Sequence, residues 1–141
     1  MIRIAIQAKG RLNEESIALL KEAGISIEDS KRKLLAKSDD FPIEVLYLRD
    51  DDIPQAVAMG VADLGIVGLN EVEEKKFNVE LIHKLGFGKC RMCVCGPAES
   101  KELLKHHEMI RVASKYPNIA KDYFYNKKHQ TVDIIKLNGS V

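Results

Sequence analysis

Three short stretches of this chain combine residue types that could handle a phosphorylated ligand. Lys9-Gly10-Arg11 sets two cations around a glycine directly after an apolar run, and backbone amides plus positive side chains in such a turn bind phosphate. A solvated basic turn would have the same composition. Arg49 is followed by Asp50, Asp51, Asp52, Ile53 and Pro54. Three adjacent carboxylates repel one another, and only one is needed to cap a helix, so the reading makes Asp51 or Asp52 the cap. The remaining acid, with Arg49, could orient a ribose or a metal-bound phosphate, or merely stabilise the helix dipole. Asp63-Leu64-Gly65-Ile66-Val67-Gly68 places glycines where a side chain would block a ligand, with amides free to meet an anion at the next helix. Close packing of a strand on a helix would also require them. Further along, Ser114-Lys115-Tyr116-Pro117-Asn118 offers hydroxyls and helix-start amides for an anion, and a ring for base stacking. Capping explains Ser114 and Asn118 but accounts less readily for Tyr116.

Cys90, Cys93 and Cys95 pose a different question, because Cys-x-x-Cys can open a zinc site and His83, His106 or His107 could add a fourth ligand. On a strand, Cys93 and Cys95 share one face while Cys90 points away, and no second Cys-x-x-Cys follows. The expectation is therefore reduced thiols buried as small apolar side chains, with no metal site. The histidines sit at a helix end or in a basic loop and need no catalytic role.

The elements that must position these residues follow from periodicity. Ile2, Ile4 and Ile6 alternate as a strand; Asn13 is expected to cap a helix over 14–23, with Gly24 as its stop. Residues 33–37 and 43–48 read as two strands of a hairpin, and Pro54 opens a helix closed by Gly60. A short buried strand within 62–68, a helix over 70–76 and a strand around 79–85 come next, and Gly86-Phe87-Gly88 marks a boundary. The pattern then restarts as strand 91–95, helix 99–106, strand 110–113, helix 117–127 and strand 132–137. Strands alternating with helices predict a parallel α/β fold, with a first lobe over 1–88 and a second over 89–141. The rhythm calls for another helix after Asn138-Gly139-Ser140-Val141, so the second lobe is expected to be incomplete.

Composition narrows the classes of function. Of 141 residues, 22 are Lys or Arg and 21 are Asp or Glu, and the net charge of +1 excludes nucleic-acid binding driven by bulk charge. With 45% hydrophobic and 30% charged residues, the chain is too apolar for a disordered tail. No run reaches the ~18 apolar residues of a spanning helix, and the N-terminus lacks a signal peptide's apolar core, so no membrane association and a cytoplasmic location are expected.

In order along the chain, Gln7 to Leu12, Arg49-Asp50-Asp51-Asp52-Ile53-Pro54, Gly60 to Gly68, Cys90-Arg91, Tyr116-Pro117 and Leu137 to Val141 resemble the ATP phosphoribosyltransferases of histidine biosynthesis. The resemblance spans essentially the whole sequence. It implies a two-lobed architecture like type II periplasmic binding proteins, with the active site between the lobes. It also implies a glycosyltransferase reaction in which N1 of ATP attacks C1 of phosphoribosyl pyrophosphate and magnesium pyrophosphate leaves. On that pattern Lys9 and Arg49 take catalytic roles, while Gly10, Arg11, Asp63, Gly68 and Tyr116 bind nucleotide or phosphate. Magnesium would accompany phosphoribosyl pyrophosphate rather than occupy a protein cage, and the full-length enzyme would be a homo-oligomer. The family's phosphoribosyl-pyrophosphate loop lies past the Asn-Gly-Ser-Val element, so the 141-residue chain alone is expected to be inactive. The rival reading is a noncatalytic small-ligand-binding module of the same fold.

Overall fold

A computed structural model describes residues 1–27, 34–102, 105 and 109–138. The chain divides into two compact units, Met1–Lys89 and Cys90–Val141.

The first unit is built on a four-stranded sheet. Its strands are β1 (Ile2–Gln7), β2 (Leu35–Lys37), β3 (Ile43–Leu48) and β4 (Leu64–Gly65), in the order β2-β3-β1-β4. β1 runs parallel to both β3 and β4, whereas β2 pairs antiparallel with β3. The alternation in β1 suggested one buried face, yet Ile4, Ala5 and Ile6 are all buried. Both faces are covered, as is usual where helices flank parallel strands. On one face Ile4, Ile6, Ile43 and Val45 pack with Leu20 of α1 (Arg11–Glu22). On the other, Ala5, Leu46 and Ala62 pack with Ile53 of α2 (Ile53–Ala58). Ile6 and Ile53 are each 0% exposed, and burying such a side chain is worth about 1.5–3 kcal/mol.

Both helices end as the glycines predict. Past α1, the Ile25 and Gly24 amides donate to the Leu20 and Lys21 carbonyls at 2.9 and 3.0 Å. Past α2, Val61 and Gly60 donate to Ala56 and Val57 at 2.8 and 3.1 Å. These paired bonds satisfy carbonyls that a helix end leaves open. Gly65 is needed for a different reason. A Cβ there would stand 2.7 Å from Ile53 Cγ2 and 3.1 Å from Val57 Cγ2, so its bare backbone is what lets α2 lie against β4.

Several expectations are corrected. α1 begins at Arg11 with Gly10 as its N-cap residue, and Asn13 instead donates from Nδ2 to the Gln7 carbonyl at 2.8 Å. Asp52 holds the N-cap position of α2, one of the two residues expected there, but its carboxylate makes no capping hydrogen bond; Asp50–Asp52 form a 3-10 turn in which the Asp50 carboxylate accepts the Asp51 amide at 2.9 Å. The expected strand around 79–85 is absent, with residues 80–86 exposed, because no described strand offers hydrogen-bond partners there. α3 (Leu69–Lys75) lies where a short helix was expected.

The second unit holds a two-stranded parallel sheet, β5 (Ile110–Ser114) and β6 (Val132–Lys136), in the register Ile110↔Val132 to Ser114↔Lys136. Between them run α4 (Pro117–Lys121) and a continuous π-helical stretch, Asp122–Lys127, which buries Phe124. The expected strand 91–95 does not form, and Cys90, Cys93 and Cys95 are exposed free thiols rather than buried side chains. Alternation in this segment reports which side chains are apolar but cannot supply the missing partner strand. A 3-10 turn, Ala98–Glu102, replaces the start of the expected helix 99–106, whose residues 103–104 and 106 lie outside those described. Residues 139–141, after which a further helix was expected, also lie outside those described.

Candidate phosphate-binding edge

Because β1, β3 and β4 are parallel, the segments leaving their C-terminal ends emerge along one edge of the sheet. Open α/β sheets bind ligands along such an edge. Gln7 pairs with Leu48, and the Ala8 amide donates to the Leu48 carbonyl at 2.7 Å. Lys9-Gly10-Arg11 and Arg49 therefore leave from adjacent strands, at a spacing of about 4.8 Å. β4 is shorter. It ends at Gly65, opposite Ala5, and Gly68 follows three residues later at the start of α3.

Lys9, Gly10, Arg11 and Arg49 are exposed. Gly10 has φ 102 and ψ −171, a conformation that side-chain-bearing residues rarely adopt, so glycine sets the turn from β1 into α1. No described side chain caps α1, whose first amides face outward from a 12-residue helix. The positive end of its dipole and the charges of Lys9 and Arg11 act in one place. The Asn13 bond to the Gln7 carbonyl ties the turn to the end of β1. Asn13 was read from the sequence as a cap. Its distance of six residues from Gln7 carries no pattern that would have signalled this tie.

Arg49 extends from the end of β3, its side chain 72% exposed, with Nε 3.4 Å from Asp51 Oδ1. This pairing orients the guanidinium loosely, since exposed ion pairs contribute about 0–1 kcal/mol. Among the described residues no group of three or more His, Cys, Asp or Glu side chains could hold a metal ion.

Gly68 precedes α3 in ordinary extended geometry, φ −68 and ψ 140. A Cβ there would meet Asn70 Oδ1, the movable end of a side chain, at 2.5 Å. The glycine whose bare backbone the packing requires is Gly65. Beyond Gly68, Glu71 and Glu74 of α3 are 2% and 6% exposed, and both interact within the fold. Sequence reasoning passed over these buried acids, because an acidic helix of seven residues reads as a solvated face.

Asp63 stands apart from this edge. It precedes β4, and its carboxylate accepts the Arg3 amide at 2.9 Å while its own amide donates to the Arg3 carbonyl at 2.9 Å. Arg3 and Gln7 are four residues apart on β1, a separation of about 13 Å. Asp63 thus lies at the opposite end of β1 from Lys9, where it fastens β4 to β1 next to the 2.7 Å Arg3–Glu44 ion pair. Replacing Asp63 by Ala should lower stability by about 1 kcal/mol, the usual worth of such a bond, without changing nucleotide affinity. Urea melts and nucleotide titration of the variant check both parts, and weakened nucleotide binding in a fully folded variant would return Asp63 to the site.

Tyr116 belongs to the second unit, in the turn from β5 into α4. Its amide donates to Ser114 Oγ at 2.9 Å, and Lys115 Nζ lies 5.9 Å from the centre of its ring. The ring is half-buried.

An α/β chain that gathers cationic turns and a helix N-terminus at the C-terminal edge of parallel strands has the layout of a protein that handles phosphorylated ligands. The family model described as HisG, ATP phosphoribosyltransferase, matches residues 49–141. The ATP phosphoribosyltransferase of Lachnoclostridium phytofermentans is 49% identical over 144 residues, covering 99% of this chain and 66% of that protein. That of Phocaeicola vulgatus is 54% identical over 142 residues, covering 100% of this chain and 50% of that protein. A solved structure, the ATP phosphoribosyl transferase (HisG:HisZ) complex from Thermotoga maritima, superposes with a TM-score of 0.66 at 28% identity, covering this whole chain and 66% of that one. This chain belongs to the ATP phosphoribosyltransferase family. It spans between half and about two-thirds of the length of these relatives.

Proposed function

We propose that this chain supplies the nucleotide-handling part of an ATP phosphoribosyltransferase, acting at the first step of histidine biosynthesis. In the reaction, N1 of the adenine bonds to C1 of phosphoribosyl pyrophosphate, and the bond from C1 to the pyrophosphate oxygen breaks. Negative charge grows on the leaving pyrophosphate while positive charge grows on the ribose. The protein's task is to hold the two substrates in line and to stabilise that separation.

The observation that carries this reading is the exposed Lys9-Gly10-Arg11 turn at the uncapped start of α1, beside Arg49, in a chain of this family. Lys9 and Arg49 act as the cations facing phosphate charge. Gly10 and Arg11 bind phosphate at the helix start, the turn at Gly68 contributes backbone amides, and Tyr116 offers its ring to a base. Magnesium enters with phosphoribosyl pyrophosphate and neutralises part of its charge. The donor set fits that role, since Mg²⁺ is commonly held by substrate phosphates, water and one or two carboxylates. The neighbouring carboxylates are those of Asp50, Asp51 and Asp52.

The division at Lys89 and Cys90 supports a two-lobed architecture of the type II periplasmic-binding-protein kind. The relatives' greater length supports a catalytic region larger than 141 residues, and an enzyme using these substrates belongs in the cytoplasm. No helix among the described residues is long and apolar enough to cross a membrane. The solved relative is a complex, which supports assembly into an oligomer.

The test is pyrophosphate release from ATP and phosphoribosyl pyrophosphate. It compares the 141-residue chain with a lengthened chain that adds the portion of the Lachnoclostridium phytofermentans protein it does not match. The lengthened chain should turn over and the short one should not. A folded lengthened chain that binds ATP without releasing pyrophosphate would leave a noncatalytic ligand-binding module.

A further inference from the structure

Alternate carbonyls of a strand point to the same neighbour, and on β1 those of Arg3 and Ala5 point to the β4 side. The first accepts the Asp63 amide at 2.9 Å and the second the Ile66 amide at 3.0 Å. Gln7 is next in that series, but β4 has ended at Gly65 and no strand is left to serve it. Asn13 serves it instead. From the first turn of α1 its Nδ2 donates to the Gln7 carbonyl at 2.8 Å, doing the work of a further strand amide.

The same peptide group is held at its other polar atom. The Ala8 amide, joined to that carbonyl through the Gln7–Ala8 bond, donates to Leu48 of β3 at 2.7 Å. A peptide group is planar, so bonds at its carbonyl and its N–H together fix the plane from which the chain turns away. Lys9 follows that plane directly, and Arg49 follows Leu48 on the neighbouring strand. The turn then folds back over the strand end, with the Gln7 carboxamide oxygen 3.7 Å from where a Gly10 Cβ would stand.

We propose that Asn13 is a positioning residue: by replacing the missing strand amide it fixes Lys9 relative to Arg49, so that both cations meet one phosphorylated substrate. Its donor is spent on the protein, and it acts through the turn. The assignment rests on the phosphoribosyl-transfer reading given above. The gain is preorganisation, since a turn already held need not be ordered when the ligand arrives.

Two measurements test this. In the 141-residue chain without ligand, Asn13→Leu keeps the side chain's size and removes its donor. Exchange of the Ala8 amide should then quicken by about five- to tenfold, the equivalent of one net hydrogen bond, while the Ala5 and Ile6 amides keep their rates. Leucine is the better helix former, so α1 should exchange no faster. In the lengthened chain Asn13→Leu should lower kcat/KM for ATP and phosphoribosyl pyrophosphate by about tenfold, and Asn13→Gln, which keeps a donor, should recover part of it. In a Lys9→Ala background the group being positioned is gone, so the effect of Asn13→Leu should shrink to about twofold or less. A merely structural role would lower the rate by the same factor in both backgrounds.

Unchanged Ala8 exchange, unchanged kcat/KM, a glutamine variant no better than leucine, or equal losses in the two backgrounds would each overturn the proposal. A lengthened chain that is inactive before any substitution overturns the phosphoribosyl-transfer reading, and this proposal with it. An active chain indifferent to Asn13→Leu overturns this proposal alone.

Discussion

In the lengthened chain, Arg49→Ala is expected to lower kcat by about 10²–10³, the range for removing one group aimed at developing charge. Stability should scarcely change. The Arg49 side chain is 72% exposed and its ion pair to Asp51 spans 3.4 Å, so little folding energy depends on it. An effect on kcat with KM nearly constant would place the guanidinium on charge that appears only in the transition state. Arg49→Lys should recover part of the loss, since the positive charge remains while the planar pair of donors is gone. If Arg49→Ala turns over normally, the residue does no more than pair with Asp51 at the start of the Asp50–Asp52 turn.

Ile53→Ala should destabilise the first unit by about 2–5 kcal/mol. Ile53 is 0% exposed and joins Ala5, Leu46 and Ala62 in the core beneath α2. At ~0.05–0.15 kcal/mol per residue, a unit of this size has only about 4–13 kcal/mol in total, so urea should unfold the variant far earlier. The close approach at Gly65 sharpens the test. Gly65→Ala alone forces a methyl to within 2.7 Å of Ile53 Cγ2 and should cost about 1–3 kcal/mol. In the Ile53→Ala background that methyl enters vacated space, so its cost should shrink or change sign. A double-mutant cycle measures the coupling, and strict additivity would mean that the helix moves away from β4 instead of being pinned by it.

Elements whose signals are local were legible from the sequence. Pro54 and Gly60 bracket α2, Gly24 ends α1, and the Ser38 to Pro42 turn joins antiparallel β2 and β3, because each depends on residues close by in the chain. What failed depended on partners that a single sequence does not reveal. Residues 79–85 and 91–95 alternate like strands, but alternation sorts side chains and does not supply a neighbour for the backbone. The same failure left the cysteines exposed, since their expected burial presumed a strand at 91–95.

The candidate site divides along similar lines. Lys9, Gly10, Arg11 and Arg49 follow parallel strands, so strand direction alone gathers them on one edge. Asp63 lies on the other side of β4 from Gly68, and a two-residue strand was too short for the sequence to show where one side stopped. Its motif joined a residue at one edge of the sheet to a residue at the other. For Gly65 the sequence left open either room for a ligand or close packing of a strand on a helix, and the packing is what the structure shows: its bare backbone makes room for α2.

The place of β1 between β3 and β4 bears on the order in which the molecule is made. Of the four strands in this sheet β1 is made before the others yet is interior, and its partners arrive late: Ile2 waits for Ile43, and Ile4 waits for Leu64. At about 5–20 residues per second, the nascent Ile4-Ala5-Ile6 segment spends roughly 3–12 s without its second neighbour. During that interval its apolar residues have no complete native sheet to join, so synthesis speed and chaperone access between the making of β1 and of β4 bear directly on yield. Clipping the first seven residues would likewise remove the middle of the sheet, separating β3 from β4, where the loss of an edge strand would only narrow it.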